Sequence, residues 1–209
     1  MTADPAFIYK KISELYPDAG CELDYVTECD LLVAIMLSQQ ATDISVNKLT
    51  RTLFEKYKTF ADYANASLDA LEQDIKTIGL FRSKAKNIQS TARIIQTEYD
   101  GKIPPEQELL ERLPGIGRKT ANVFLAEWHK LPRIAVDTHV KRVSWRLGLA
   151  KQNDTPETVE KKLMDCYPEA EWIRLHHRFL FFGRYFCMAR RPKCIACPLV
   201  NVCHFPDLS

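Results

Sequence analysis

Four cysteines near the C-terminus constrain this chain more than any other feature. Cys187, Cys194, Cys197 and Cys203 are spaced C-x6-C-x2-C-x5-C. Four thiols within 17 residues, in a segment of prolines and bases with little core-forming pattern after Cys187, ask for a metal. Disulfides are the competing use. The first residues, MTADPAFIYKKI, lack the basic end and apolar core of a signal peptide, so a cytoplasmic protein with reduced thiols is expected. Tetrahedral zinc and a [4Fe–4S] cluster both accept four cysteines. Zinc sites usually pair two short knuckles, and only Cys194-x2-Cys197 is one, so the spacing leans toward iron–sulfur and leaves zinc open. Arg184, Arg190, Arg191 and Lys193 would offset the charge of such a cluster, or meet a phosphate backbone.

The rest of the chain reads helical. Seven glycines in 209 residues are few for strands and tight turns, and no hairpin signal stands out. The spacing predicts a helix through AIMLSQQATDISVNKLTRTLFEKY, with Ile44, Leu49, Leu53, Phe54 and Tyr57 on its apolar face. A second carries Leu68, Leu71, Ile75 and Ile78 and stops at Gly79. A third repeats the pattern with Ala85, Ile88, Ala92 and Ile95 before Asp-Gly and Pro-Pro break it. PEQELLERL is a short helix, and Ala121, Phe124, Leu125 and Trp128 line one face of the next. THVKRVSWRLGL turns Val140, Val143 and Leu147 inward. TPETVEKKLMDCY starts at Thr155, with Pro156 in first position and acids near its positive end. The expected fold class is all-α. The longest apolar run, Leu31–Leu37, is far short of the roughly 20 residues that cross a bilayer, so no membrane partner is expected.

A net charge of +2 hides an uneven distribution. Residues 1–30 hold seven acids and two bases, whereas 112–146 hold eight bases and two acids, and 172–206 hold six bases and no acid. Two basic segments in a nearly neutral chain suggest a face for a polyanion.

Within the first basic segment lies LPGIGRKTAN, Leu113–Asn122. A tight glycine turn that opens a helix leaves backbone N–H groups unpaired at the positive end of the helix dipole. An anion can approach closely there. Such a turn grips phosphate without reading sequence. A corner between packed helices explains the turn equally well. Lys119 stands on the first turn of that helix, and IAVDTHVKR places Asp137 directly before another. Asp137 suits an ordinary helix cap. It also suits a partner for a nucleophilic lysine, which attacks carbon only when neutral, so that its pKa must fall from about 10.4. The residues alone support a phosphate grip and permit a nucleophile.

LPGIGRKTAN, VDTHVKR, LSQQATDISVNK and the cysteine spacing occur in the order found in the endonuclease III family, and the chain resembles that branch of the helix-hairpin-helix DNA glycosylases from about residue 20 to Cys203. The resemblance implies two helical domains with a DNA-binding cleft between them. One is a six-helix barrel over residues 22–133 containing the helix-hairpin-helix motif. The other joins residues 1–21 to 134–209 and carries a [4Fe–4S] cluster on Cys187, Cys194, Cys197 and Cys203. It implies a bifunctional glycosylase/AP lyase that removes oxidised pyrimidines from duplex DNA and also acts at abasic sites. Lys119 attacks C1′ of a flipped nucleotide, Asp137 supports the step, and β-elimination cuts the strand. Gln40 matches the residue that fills the vacated space in the duplex. Gln39 stands where relatives often have Ala, which leaves that role open between the two glutamines. Leu80 matches the apolar wedge beside it. Gly115, Gly117, Arg118 and Lys141 match DNA-contacting positions, and Asp43 and His139 match polar positions near the base pocket. A mispair-specific adenine glycosylase shares the hairpin, aspartate and cluster but lacks the lysine and normally adds a large C-terminal domain; Lys119 and the end six residues after Cys203 favour the lyase. A non-catalytic DNA-binding module with a metal clip is the other alternative. A monomer is expected, nucleoid-associated in a bacterium.

Overall fold

The helical pattern resolves into eleven α-helices among the described residues, 4–205 of this computed structural model. They are α1 (Pro5–Leu15), α2 (Glu28–Ser38), α3 (Asp43–Lys56), α4 (Phe60–Asn65), α5 (Leu68–Asp74) and α6 (Phe81–Glu98). There follow α7 (Gln107–Leu110), α8 (Arg118–Glu127), α9 (Thr138–Arg146), α10 (Pro156–Cys166) and α11 (Trp172–Phe181). A π-helical turn, Phe182–Phe186, extends α11, and the described residues contain no strand. Asp4, Thr27, Thr42, Thr59, Ser67, Asp137 and Thr155 each accept a backbone N–H of the helix they begin, satisfying donors that have no intrahelical partner.

Two boundaries depart from the periodicity. The single helix expected through residues 34–57 is broken between Ser38 and Asp43. Thr42 caps α3 by accepting Ser45 N–H at 3.2 Å, a local bond that competes with a continuous helix. Ile44, expected on the apolar face, is 84% exposed. The second departure is at Gly79. The helix before it ends at Asp74, and the left-handed conformation falls on Leu80, at φ 59°, not on the glycine.

The chain divides into two compact units. One comprises Glu22–His129; the other combines the N-terminal stretch through Cys21 with the chain from Lys130 onward. In the first, α2 is buried from Cys29 to Leu37, because its sequence is apolar on all sides, and it packs against α3, α6 and α8. In the second, Ile8 and Ile12 of α1, Val140 and Val143 of α9, Val159 and Leu163 of α10, and Leu175 and Phe179 of α11 form one core. Leu199 from the cysteine segment joins that core. No helix among the described residues is long and apolar enough to cross a membrane.

Candidate functional site

The LPGIG turn joins α7 to α8 and is held from inside. Leu110, Leu113 and Ile116 are buried, and N–H groups of Leu113 and Ile116 donate to the carbonyls of Leu110 and Leu113 at 3.0 and 3.1 Å. Helix α6 backs the turn: Thr91 Oγ1 donates to the Pro114 carbonyl at 2.9 Å. Gly115 has φ 79°, and a Cβ there would stand 2.8 Å from Asn87 Nδ2. Both conditions favour glycine. Gly117 is different; its backbone is extended and the space around a Cβ is open. No side chain caps α8 at Gly117. Arg118 and Lys119 are exposed on the first turn, while Thr120, Ala121, Phe124 and Leu125 anchor the helix inside. The arrangement presents a helix N-terminus and two cations to an anion.

Two further predicted residues stand on strained backbone in the same unit. Gln40 has φ 55° and is exposed; Leu80 has φ 59° and is 60% exposed. Gln39, in contrast, is engaged, with its Nε2 donating to the Gly115 carbonyl at 2.8 Å and to Thr120 Oγ1 at 3.3 Å. It ties the end of α2 to the glycine turn. Asp43 is the half-buried first residue of α3, three positions beyond Gln40.

The other unit carries the remaining predictions on α9. Asp137 is half-buried and its Oδ1 accepts the N–H groups of His139 and Val140, both at 2.8 Å. The cap function is therefore real, and it uses one carboxylate oxygen. His139 Nδ1 lies 3.2 Å from Arg142 Nη2. Lys141 is half-buried on the same helix. Gly183 of the π-helical turn packs so closely on α9 that a Cβ would stand 2.9 Å from His139 Cβ.

All four cysteines of the C-terminal segment are free thiols and rim one small pocket, walled by Leu147, Phe182, Phe186 and Phe205. Burial raises the pKa values of Cys197 and Cys203, and the neighbouring thiols raise them further. Among the described residues, no set of three or more His, Cys, Asp or Glu side chains is arranged to hold a metal ion. A single zinc would require four sulfurs about 2.3 Å from one point. The donor set, four soft thiols around an apolar void, fits a thiolate-ligated cluster. Arg146 Nη1 donates to Cys187 Sγ at 3.3 Å and to the Met188 carbonyl at 2.8 Å, and its own carbonyl accepts His204 N–H at 2.8 Å. Arg142 Nε donates to the Cys187 carbonyl at 3.1 Å and Nη2 to that of Gly183 at 2.6 Å. Both arginines thus bolt α9 to the cysteine segment.

Arg142, Arg146, Gly183 and the buried Lys84 escape the sequence reading, which counts the arginines only as surface charge. The one available signal is register. Lys84, Asn87 and Thr91 follow Leu80 at helical intervals.

Residues 33–169 match the HhH-GPD superfamily base excision DNA repair protein family. The chain is 49% identical to endonuclease III of Bacillus subtilis over 197 residues, 94% of this chain and 90% of the relative. Among solved structures it is similar to a non-covalent endonuclease III–DNA complex, at 47% identity and TM-score 0.93 over 95% of this chain and 93% of the other. It is also similar to a trapped endonuclease III–DNA covalent intermediate, at 46% identity and TM-score 0.94 over 98% and 97%.

Proposed function

The chain belongs to the endonuclease III family of helix-hairpin-helix base excision DNA repair proteins, and from that membership we propose that it removes oxidised pyrimidines from duplex DNA with Lys119 as nucleophile and Asp137 as the supporting carboxylate. It is a bifunctional DNA glycosylase/AP lyase. The observation that carries the assignment of Lys119 is its position. It is exposed on the first turn of a helix whose start no side chain caps, directly behind the glycine turn, in a chain 46% identical to an endonuclease III caught covalently joined to DNA.

Neutral Lys119 Nζ attacks C1′ of the flipped nucleotide as the glycosidic bond breaks and the base leaves with the bonding pair. The adduct opens to a protonated Schiff base. Loss of a C2′ proton then expels the 3′ phosphate, and water releases the lysine. Asp137 accepts a proton or stabilises the developing positive charge with the oxygen that does not cap α9. Gly115, Gly117 and Arg118 hold the strand at the turn, and Lys141 adds a cation from α9. Gln40 fills the space left by the flipped nucleotide, because Gln39 is already committed to the glycine turn, and Leu80 wedges beside it. Asp43 and His139 line the base pocket. The four C-terminal cysteines hold a [4Fe–4S] cluster, which when bound supplies iron–thiolate bonds that cross-link residues 187–203. The partner is double-stranded DNA with damaged bases or abasic sites, and the working unit is a monomer.

Borohydride reduction of the reaction tests this reading. Wild-type protein should become covalently joined to abasic-site DNA, and Lys119→Ala should give no adduct. Asp137→Asn, which keeps a good capping side chain, should slow single-turnover base release by at least about tenfold while DNA affinity stays within about twofold. An undiminished adduct in Lys119→Ala removes the assignment of Lys119 as nucleophile, and no adduct with wild-type protein leaves a DNA-binding module.

A further inference from the structure

Lys84 is a buried lysine with no part in the chemistry above. Only 6% of its surface is exposed. Its Nζ donates to the carbonyls of Leu37 and Gln39, at 2.8 and 2.6 Å. These carbonyls belong to the last turn of α2 and its cap, where the helix leaves acceptors unpaired and the dipole favours a cation. The Gln39 carbonyl and the Gln40 N–H share one peptide plane, so holding that oxygen holds the orientation in which Gln40 enters its left-handed conformation. The backbone of Lys84 does the same on the other side. Its N–H donates at 3.0 Å to the carbonyl of Leu80, the second left-handed residue. The side chain of Lys84 therefore holds the peptide that leads into Gln40, from the helix whose first hydrogen bond runs from the Lys84 main chain to Leu80. Farther along the same face of α6, Asn87 and Thr91 support the glycine turn.

We propose that Lys84 is a positioning residue for lesion recognition, fixing the separation and the backbone orientation of Gln40 and Leu80 so that both side chains enter the duplex together. The inference rests on the reading that these two side chains do enter it. A buried ammonium is a costly way to join two helices, since apolar packing would hold them as well. What apolar packing lacks is direction. An ammonium on two carbonyls fixes the peptide plane as well as the distance, and the plane decides where Gln40 points.

The test is a double-mutant cycle on single-turnover base release from a duplex with one oxidised pyrimidine, with 2-aminopurine opposite the lesion to report insertion by its fluorescence. Lys84→Met should lower the rate about 10- to 100-fold, the scale on which a displacement near 1 Å acts, and should reduce the fluorescence rise. Affinity for undamaged duplex, set by phosphate contacts, should stay within about twofold. In a Gln40→Ala/Leu80→Ala background the same substitution should cost no more than about twofold further. A full additional loss in that background overturns the proposal while leaving the roles of Gln40 and Leu80 intact. An alanine pair that matches wild type overturns those roles and the proposal with them. If circular dichroism shows Lys84→Met unfolded, Lys84→Gln, which removes the charge but keeps a donor, takes its place in the cycle with the same outcomes deciding.

Discussion

Leu80 concentrates the conflict between stability and recognition in one side chain. A leucine in the left-handed region places Cβ against the following carbonyl, at about 1–2 kcal/mol. Its side chain recovers little of that by burial, since it is 60% exposed. Neither packing nor capping explains the choice, because α6 receives no side-chain cap there and Gly79, one residue earlier, adopts an ordinary φ. Strain without burial fits the wedge role proposed for Leu80. Leu80→Gly should therefore raise thermal stability, by up to about 1 kcal/mol, while slowing excision from a lesion duplex. Calorimetry and single-turnover kinetics on the same preparation check both halves. A variant that is less stable than wild type would show that the leucine serves the fold.

At the scale of elements, the hairpin of α7, turn and α8 holds two glycines with different duties. Gly115 is favoured by the fold: its φ of 79° strains any other residue, and a Cβ would push on the Asn87 side chain from 2.8 Å. Gly117 has neither restriction, and the open space beside it is where an anion would reach the start of α8. Gly115→Ala should destabilise the protein by about 1–3 kcal/mol in chemical denaturation. Gly117→Ala should leave stability within about 0.5 kcal/mol yet weaken binding to any duplex. Equal effects of both on stability would contradict this division. Much of this was legible in the sequence. The apolar registers of α6, α8 and α9 predict the buried faces, and Thr155–Pro156 marks a helix start. LPGIGRKTAN marks the turn and its lysine. The break between α2 and α3 was not legible, because apolar spacing continues across it and only a threonine cap interrupts it. The same holds for Lys84, Arg142 and Arg146. A cation looks alike in sequence whether it faces water or a row of buried carbonyls, and only packing decides.

For the molecule as a whole, the C-terminal segment poses the main energetic question, since residues 187–203 form only short helical turns and contribute one fully buried core side chain, Leu199. Four thiols rim the pocket, and burial pushes Cys197 and Cys203 away from the thiolate form that a metal requires. Without a bound cation the segment is held by Arg142 and Arg146, by the His204 N–H on the Arg146 carbonyl, and by Leu199 and its neighbours against the core. With one, iron–thiolate bonds add to that frame, and metal binding becomes folding free energy for this segment. Purified protein should be brown and contain about four irons per chain; colourless protein with a single zinc would refute the cluster. Stripping the metal should have a local effect. Hydrogen exchange should speed up through residues 187–203 and at the last turn of α9, where Arg146 meets Cys187, Met188 and His204. The unit Glu22–His129, whose core is built on α2 and α6, should keep its protection. The capping bonds of Asp137 to His139 and Val140 should also persist, because Val140 and Val143 share a core with side chains of α1, α10 and α11, which lie outside the cysteine segment. Metal loss that unfolds both units together would mean that the cluster supports the whole molecule. Loss confined to the segment would identify it as a clip that shapes one surface.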